Sequence, residues 1–217
     1  QIVVMQALGA RSDAGAVTAL SVQAMSGAKN TRVAALRAIS AIGTSSAVPV
    51  LVELIEDSEK EIAQAALNGL AGIPGREADA VALDMLKNPK ASRRITGIDL
   101  VGRRRMVAAV PALLNAASDS DAKVRSSALQ RLGKLGTAAE VPALIKLLLR
   151  STDAQDLDGL AVALSSICTG AGSPAQATEQ IIGALSGAQP AQKGALLGVL
   201  GAVGGEKALA SVRTALN

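Results

Sequence analysis

Seven times along the chain, apolar residues spaced three apart run into a glycine or another turn-former. The series reads Ile2-Met5-Leu8-Gly9, Leu36-Ile39-Ile42-Gly43, Leu67-Leu70-Ile73 before Pro74-Gly75, Ile98-Val101, Leu129-Leu132-Leu135-Gly136, Leu164-Ile167 before Gly170, and Leu197-Leu200-Val203-Gly204. Apolar positions at three- and four-residue steps share one face of a helix. Each member therefore predicts the end of an amphipathic helix, with the glycine supplying a left-handed C-cap. Recurrence at intervals such as the 31 residues from Leu36 to Leu67 marks a stacked repeat array.

A second marker sets the register. Val48-Pro49-Val50-Leu51, Val110-Pro111-Ala112-Leu113 and Val141-Pro142-Ala143-Leu144 share one pattern, the last two 31 residues apart and the first two 62 apart. Proline suits the first turn of a helix, where its missing N–H has no intrahelical partner. Each marker predicts the start of a first helix, A. Helix A runs into a polar turn such as Glu56-Asp57-Ser58 or Ser118-Asp119-Ser120-Asp121, whose Ser and Asp are candidate N-caps for a second helix, B. Helix B then ends at the apolar triplet.

Two stretches depart from the pattern. Across Arg150–Ser173 the spacing stretches, and an acidic turn follows Leu147-Leu148-Leu149. In the repeat before Val110, a 31-residue shift puts Arg94 on Arg125, Ile98 on Leu129, Val101 on Leu132 and Gly102 on Gly133. The same shift puts Arg104 on the apolar Leu135 and Arg105 on Gly136. That repeat has exchanged its apolar and glycine ending for Arg103-Arg104-Arg105.

The segment Asp121–Gly136 followed by Val141-Pro142-Ala143-Leu144 resembles a HEAT repeat, of the short HEAT-like type found in phycobilisome lyases and bacterial scaffold proteins. Asn30–Leu51 matches nearly as well. Glu59–Leu70 and Gln192–Gly204 share the apolar positions, with Lys193 where the family often has arginine. The resemblance covers essentially the whole chain. It implies an all-α fold, a right-handed α-solenoid of antiparallel helix pairs in about six repeats, with B helices lining the concave face and partial helices at both ends. Residues 1–217 read as a single HEAT-like array, and an opening at Gln1-Ile2, inside a repeat helix and without Met, as a fragment of a longer protein. Arg32 and Arg125 match the family's recurrent arginine near the start of helix B. Their implied role is a structural ladder between neighbouring turns, pairing with residues such as Asp121.

Composition narrows the chemistry. Phe, Tyr, Trp and His are all absent, and Cys168 is the one cysteine. The core must be built from aliphatic residues and Met, which suits thin, closely stacked helices. A chain without His has no imidazole base and no His metal ligand, and one cysteine forms neither an internal disulfide nor a cysteine zinc site. Cys168 lies in an apolar run and reads as a small buried side chain. The acidic stretches around Glu56-Asp57 and Asp156-Leu157-Asp158-Gly159 lack the ligand spacing of a calcium loop. No metal site, no catalytic residue and no cofactor are expected. No apolar run reaches 18 residues, so no membrane span is predicted, and Gly194–Gly205 reads as a packed repeat helix.

Charge singles out one repeat. Residues 76–106 carry eight cations and four anions, a balance equal to the +4 of the whole chain. Arg93, Arg94, Arg103, Arg104 and Arg105 are the candidate binding residues, a spot for an acidic protein, a phosphate or a nucleic-acid backbone. Against that stands the favourable interaction of arginines with a helix C-terminus. Arg93 and Arg103 also lie roughly 15 Å apart at 1.5 Å per residue, which places the two groups on opposite rims.

A repeat array offers an extended surface for holding other molecules. The expected function is a non-catalytic protein–protein interaction scaffold with a protein partner of unknown identity, monomeric and with the cytoplasm favoured. The alternatives are phosphate or nucleic-acid backbone binding through residues 76–106, and a bilin lyase or chaperone-like role. Missing aromatics disfavour nucleic acid, because base stacking and base extrusion rely on them. The lyase role has no catalytic motif to carry it.

Overall fold

The computed structural model describes residues 1–170 and 174–216. These contain fourteen α-helices and no strand. In chain order they are α1 (Ile2–Ala10), α2 (Val17–Ser26), α3 (Lys29–Ile42), α4 (Val48–Leu54), α5 (Lys60–Gly72), α6 (Arg76–Met85), α7 (Ala91–Arg103), α8 (Val110–Ala116), α9 (Ala122–Leu135), α10 (Val141–Arg150), α11 (Ala154–Gly170), α12 (Pro174–Ala184), α13 (Pro190–Val203) and α14 (Glu206–Leu216). Even-numbered helices are the A type and odd-numbered ones the B type. The order gives six A–B successions between a lone B helix, α1, and a lone A helix, α14, which is the α-solenoid the repeat register predicts.

The proline markers start helices as expected. Val48, Val110 and Val141 open α4, α8 and α10, each with Pro in the first turn. A single 3-10 turn precedes each of the three. The departure at Arg150–Ser173 becomes α11, at 17 residues longer than the 14 of α9; Ala171, Gly172 and Ser173 lie outside the described residues.

The chain forms two compact units, Gln1–Met85 and Leu86–Asn217. In the first, α3 packs against α1, α2 and α5, and α4 against α5 and α2. In the second, α9 packs against α7, α8 and α11, and α11 against α10 and α13. A central B helix therefore has neighbours on three sides. In α3 the four consecutive residues Val33, Ala34, Ala35 and Leu36 are all buried. The periodic positions supply the largest fully buried side chains, among them Leu36, Ile39, Leu70, Ile98 and Leu132. No described helix is long and apolar enough to cross a membrane.

Glycine does two different jobs at the repeat ends, where the sequence suggested one. Gly43 closes α3 in the left-handed region at φ 71°, as expected. Gly136 does not: it sits at φ −71° in extended backbone. A Cβ there would meet Leu132 O of its own helix at 2.6 Å and Ile167 Cδ1 of α11 at 2.8 Å, so the position is glycine for want of space, first against the α9 backbone and then against α11. Gly9 is likewise inside α1 and not its cap. A Cβ on it would stand 3.0 Å from Ala38 Cα on α3, and the left-handed residue of that turn is Ser12, at φ 51°.

The end of α7 is the telling case. Arg105, aligned with Gly136, adopts φ 51°. Its N–H donates to Gly102 O at 3.2 Å, and Met106 N–H donates to Val101 O at 3.0 Å. These two bonds form a Schellman motif, which helices usually close with glycine. The turn survives the loss of glycine because backbone alone makes both bonds. The residue itself bears the steric cost of the left-handed conformation.

Two outcomes follow for stability. Arg105→Gly is expected to raise the unfolding free energy by up to about 1 kcal/mol, because glycine removes that cost. Gly136→Ala is expected to lower it by about 1–3 kcal/mol through overpacking against the Leu132 carbonyl and Ile167. Urea titrations monitored by far-UV circular dichroism separate the two signs. In the same titrations the wild-type m-value is expected to fall below that of a single cooperative unit of 217 residues, since each repeat contacts only its neighbours.

Candidate functional site

The five arginines singled out by charge do not converge. Arg93 and Arg94 lie in the first turn of α7, Arg103 in its last turn, and Arg104 and Arg105 in the cap beyond it. The two groups lie at opposite ends of the 13-residue helix.

Arg94 belongs to a ladder. Its NH1 donates to the carbonyls of Asn88 and Pro89, both at 2.9 Å, and its NH2 to Asp119 Oδ1 at 2.8 Å, in the turn before α9. Arg125 repeats the arrangement one repeat on. Its NH1 donates to the carbonyls of Asp119 and Ser120, and its Nε to both carboxylate oxygens of Asp156 on α11, at 2.8 and 3.0 Å. Arg32 does the same in the first unit, with Ala24 O and the Asp57 carboxylate as acceptors. Arg32, Arg94 and Arg125 thus hold equivalent positions, each joining backbone carbonyls to a carboxylate further along the chain, and Arg94 is engaged there. Arg94 leaves its Nε as a buried nitrogen without a partner among the described residues, a bond its two counterparts do make.

The partner proposed for the ladder is corrected. Asp121 does not pair with Arg125: its carboxylate caps α9, accepting from Lys123 N at 2.8 Å and Val124 N at 3.2 Å. The bridging acids are Asp57, Asp119 and Asp156, each in the following turn or the first turn of the following B helix. Lys193, aligned with the family arginine, is exposed. The buried Gln192 beside it donates through Nε2 to the carbonyls of Leu149 and Ser151, both at 3.0 Å. The sequence signal for that role was the Gln189/Gln192 spacing, which forms a reciprocal N-terminal cap.

Asp57 and Asp119 are tuned by their partners. The Glu59 backbone N–H and then the Arg32 guanidinium hold Asp57 below the usual carboxylate range. At Asp119 burial works to raise the value, but hydrogen bonds from Arg94 and the Asp121 N–H outweigh it and the net shift is downward. Asp156 makes Arg125 still harder to deprotonate. Cys168 is buried as expected, and burial pushes its thiol up, away from the reactive thiolate form. No cluster of three or more Cys, Asp or Glu suited to a metal ion occurs among the described residues.

The other end of α7 is built differently. Asp99 accepts from Arg103 Nε at 2.6 Å and from Arg131 NH2 of α9 at 2.8 Å. Arg131 lies across Gly102, where a Cβ would meet its Cδ at 2.5 Å and its Nε at 2.7 Å. Beside it, Arg105, Lys134, Val107 and Leu135 complete the lining of a pocket of about 520 Å³. Arg131 and Lys134 were missed by the sequence reading, which followed a run of like charges. Their signal was a spacing of three on α9, which places both on one face. Arg93 and Arg104 have polar interactions of their own.

Other concavities follow the B helices. One of about 520 Å³ lies between α1 and α3, lined by Gln6, Val33, Arg37 and Ala41 among others. Another of about 500 Å³ lies between α9 and α11, with Gln130, Asp158, Val162 and Ser166. On the A helices of the first unit, Val22, Met25 and Val50 line a more open one of about 540 Å³ between α2 and α4.

Known proteins place this geometry in context. A family model described as HEAT repeats matches residues 1–71, 18–98 and 78–165. No curated protein sequence matches. Among solved structures, an engineered protein is 21% identical with a TM-score of 0.48, over 97% of this chain and 64% of that one; the chain thus spans under two thirds of that structure's length. The complex of CpcE and CpcF of phycocyanin lyase from Nostoc sp. PCC7120 is 19% identical with a TM-score of 0.43, over 98% and 86%. A designed armadillo repeat protein is 17% identical with a TM-score of 0.44, over 85% and 98%.

The ladder predicts a pH response. A carboxyl whose folded value is lowered adds stability that is complete above the ordinary aspartate value of about 3.9 and is lost as pH falls through the lowered value. The urea midpoint is therefore expected to drop on acidification below about pH 4, and Asp119→Asn to flatten that drop while lowering stability at pH 7. Arg94→Ala, which strands two carbonyls and a largely shielded carboxylate, is expected to cost about 1–3 kcal/mol at pH 7. No loss for Arg94→Ala would remove the ladder from the account of stability.

Proposed function

The chain belongs to the HEAT-repeat family, and from that premise we propose that it is a non-catalytic protein–protein interaction scaffold. The observation that carries this reading is the recurrence of open grooves along the B helices, at α1/α3 in one unit and at α7/α9 and α9/α11 in the other. Each lies where two successive B helices meet, so the same packing that builds the core also generates an exposed furrow. The family resemblance assigns the B helices to the concave side, where an extended partner has most surface to contact. Val162 stands 65% exposed on the wall of the α9/α11 furrow, an apolar contact the core does not use.

The side chains available for binding favour a protein partner. With no aromatic residue, anchoring falls to arginine and aliphatic groups, and arginine is among the residues that dominate interface energetics. Of the arginines nominated by charge, those at the end of α7, Arg103, Arg104 and Arg105, belong to the proposed binding surface. Arg94 serves the ladder.

Photo-crosslinking tests the reading. A photoreactive amino acid placed at Val162 or at Ala41, on B-helix furrows, is expected to capture one defined protein from an extract of the source cells. The same group at Val22, on α2, is expected to capture little. Capture dominated by Val22, or none from any position, would sink the assignment.

A further inference from the structure

The turn after α7 holds an arginine where the geometry favours glycine. Arg105 sits at φ 51°, a region that costs an L-residue steric energy, while the aligned Gly43 takes the same left-handed conformation, at φ 71°, without that cost. The hydrogen bonds that close the turn come from backbone N–H groups alone. The Arg105 side chain is exposed and makes no ion pair or side-chain hydrogen bond among the described residues, and the same is true of Lys134. A residue held against local preference without a structural return points to function.

What the Arg105 side chain does is line the pocket of about 520 Å³ at the ends of α7 and α9. The other cations of the lining are Arg131 and Lys134, and no acidic side chain lines it. Arg131 is fixed in advance: its stem rests on Gly102, and Asp99 holds one of its terminal nitrogens. The apolar part of the wall is Leu135 and Val107, the latter 59% exposed.

We propose that this groove binds a short acidic segment of a partner protein, with carboxylates paired to Arg105, Arg131 and Lys134 and the aliphatic parts of the segment against Val107 and Leu135. The proposal rests on the scaffold reading and adds to it the site and the chemistry of what is held. Three observations select carboxylates over phosphates. The groove lies where α7 and α9 end, and helix C-termini carry partial negative charge that penalises a dianion more than a monoanion. Arg131, which lines the groove, already pairs with one carboxylate, that of Asp99. Three cations beside an apolar wall match a few residues of acidic peptide. A nucleic acid calls for a longer track of phosphate contacts and aromatic rings for base stacking, and the chain has no aromatic ring.

Fluorescence anisotropy on the full chain tests this, with a short fluorescein-labelled peptide of glutamate and leucine as the probe. Binding is expected to weaken as salt rises. Arg105→Gly and Lys134→Gln are each expected to lower affinity about three- to tenfold, and Gly102→Ala to lower it by displacing Arg131. Lys60→Gln, in the other unit, is expected to leave it unchanged. Arg105→Gly is expected to fold at least as stably as wild type, so its loss of binding is not a loss of structure. The proposal is overturned if wild type does not bind the probe or binds a glutamine-for-glutamate version equally. It is also overturned if the Arg105→Gly/Lys134→Gln double variant binds as wild type does, or if duplex DNA or inorganic phosphate displaces the peptide at matched charge. Crosslinking through Val162 that persists alongside any of those results leaves the scaffold reading standing and removes only the groove. Loss of crosslinking at every position removes the scaffold reading itself.

Discussion

Successive B helices touch at points where one added carbon would crowd the neighbour. Gly9 faces the backbone of Ala38, Gly133 faces that of Ala163, and Gly136 faces the side chain of Ile167. A core without a single aromatic ring requires this. Side chains no larger than Leu or Met fill space only if the helices come close, and close approach requires small residues at the crossing points. The rest of the architecture follows from that constraint. Each repeat is too thin to bury both faces of its own B helix, so burial is completed by the repeats before and after it.

Close helices bring their connecting turns into register, and the arginine ladder uses that proximity. One guanidinium satisfies the carbonyls of its own turn and the carboxylate of the next, a combination that suits its planar fork of donors. The pairs Arg32–Asp57, Arg94–Asp119 and Arg125–Asp156 are mostly shielded from solvent. In that setting the bonds to carbonyls matter as much as the charge, since a stranded buried carbonyl is costly. Gln192 shows that the neutral part of the task is separable: it ties two carbonyls of another turn without any charge.

Arginine also appears at the opposite end of α7, where the logic differs. Asp99 gathers Arg103 and Arg131, whereas Arg105 and Lys134 are left to solvent around an open pocket. Of the arginines at the two ends of α7, Arg94 therefore belongs to the ladder and Arg103 to the Asp99 pair, while Arg105 faces the pocket. Two residues of α9, Arg131 and Lys134, join Arg105 at the pocket, Arg131 already paired with Asp99.

Helices, their order and their register were legible in the sequence because they depend on local spacing. Apolar residues at three- and four-residue steps, Pro49, Pro111 and Pro142 in first turns, and polar turns between them act over a few residues and repeat every 31 or so. The presence of a ladder at Arg32 and Arg125 was legible as a family feature, but its partners were not. Asp121 is nearer in sequence than Asp156, yet it is taken by its own helix N-terminus, and only the stacking of one turn on the next brings Asp156 within reach. Glycine was legible as punctuation, but whether it serves φ, as at Gly43, or space, as at Gly136, depends on what lies opposite. The sequence by itself determined the periodic elements, since a helix is closed by bonds between residues four apart. The tertiary structure alone decided which acid each of these arginines meets, since that depends on distances between residues about 25 to 32 positions apart.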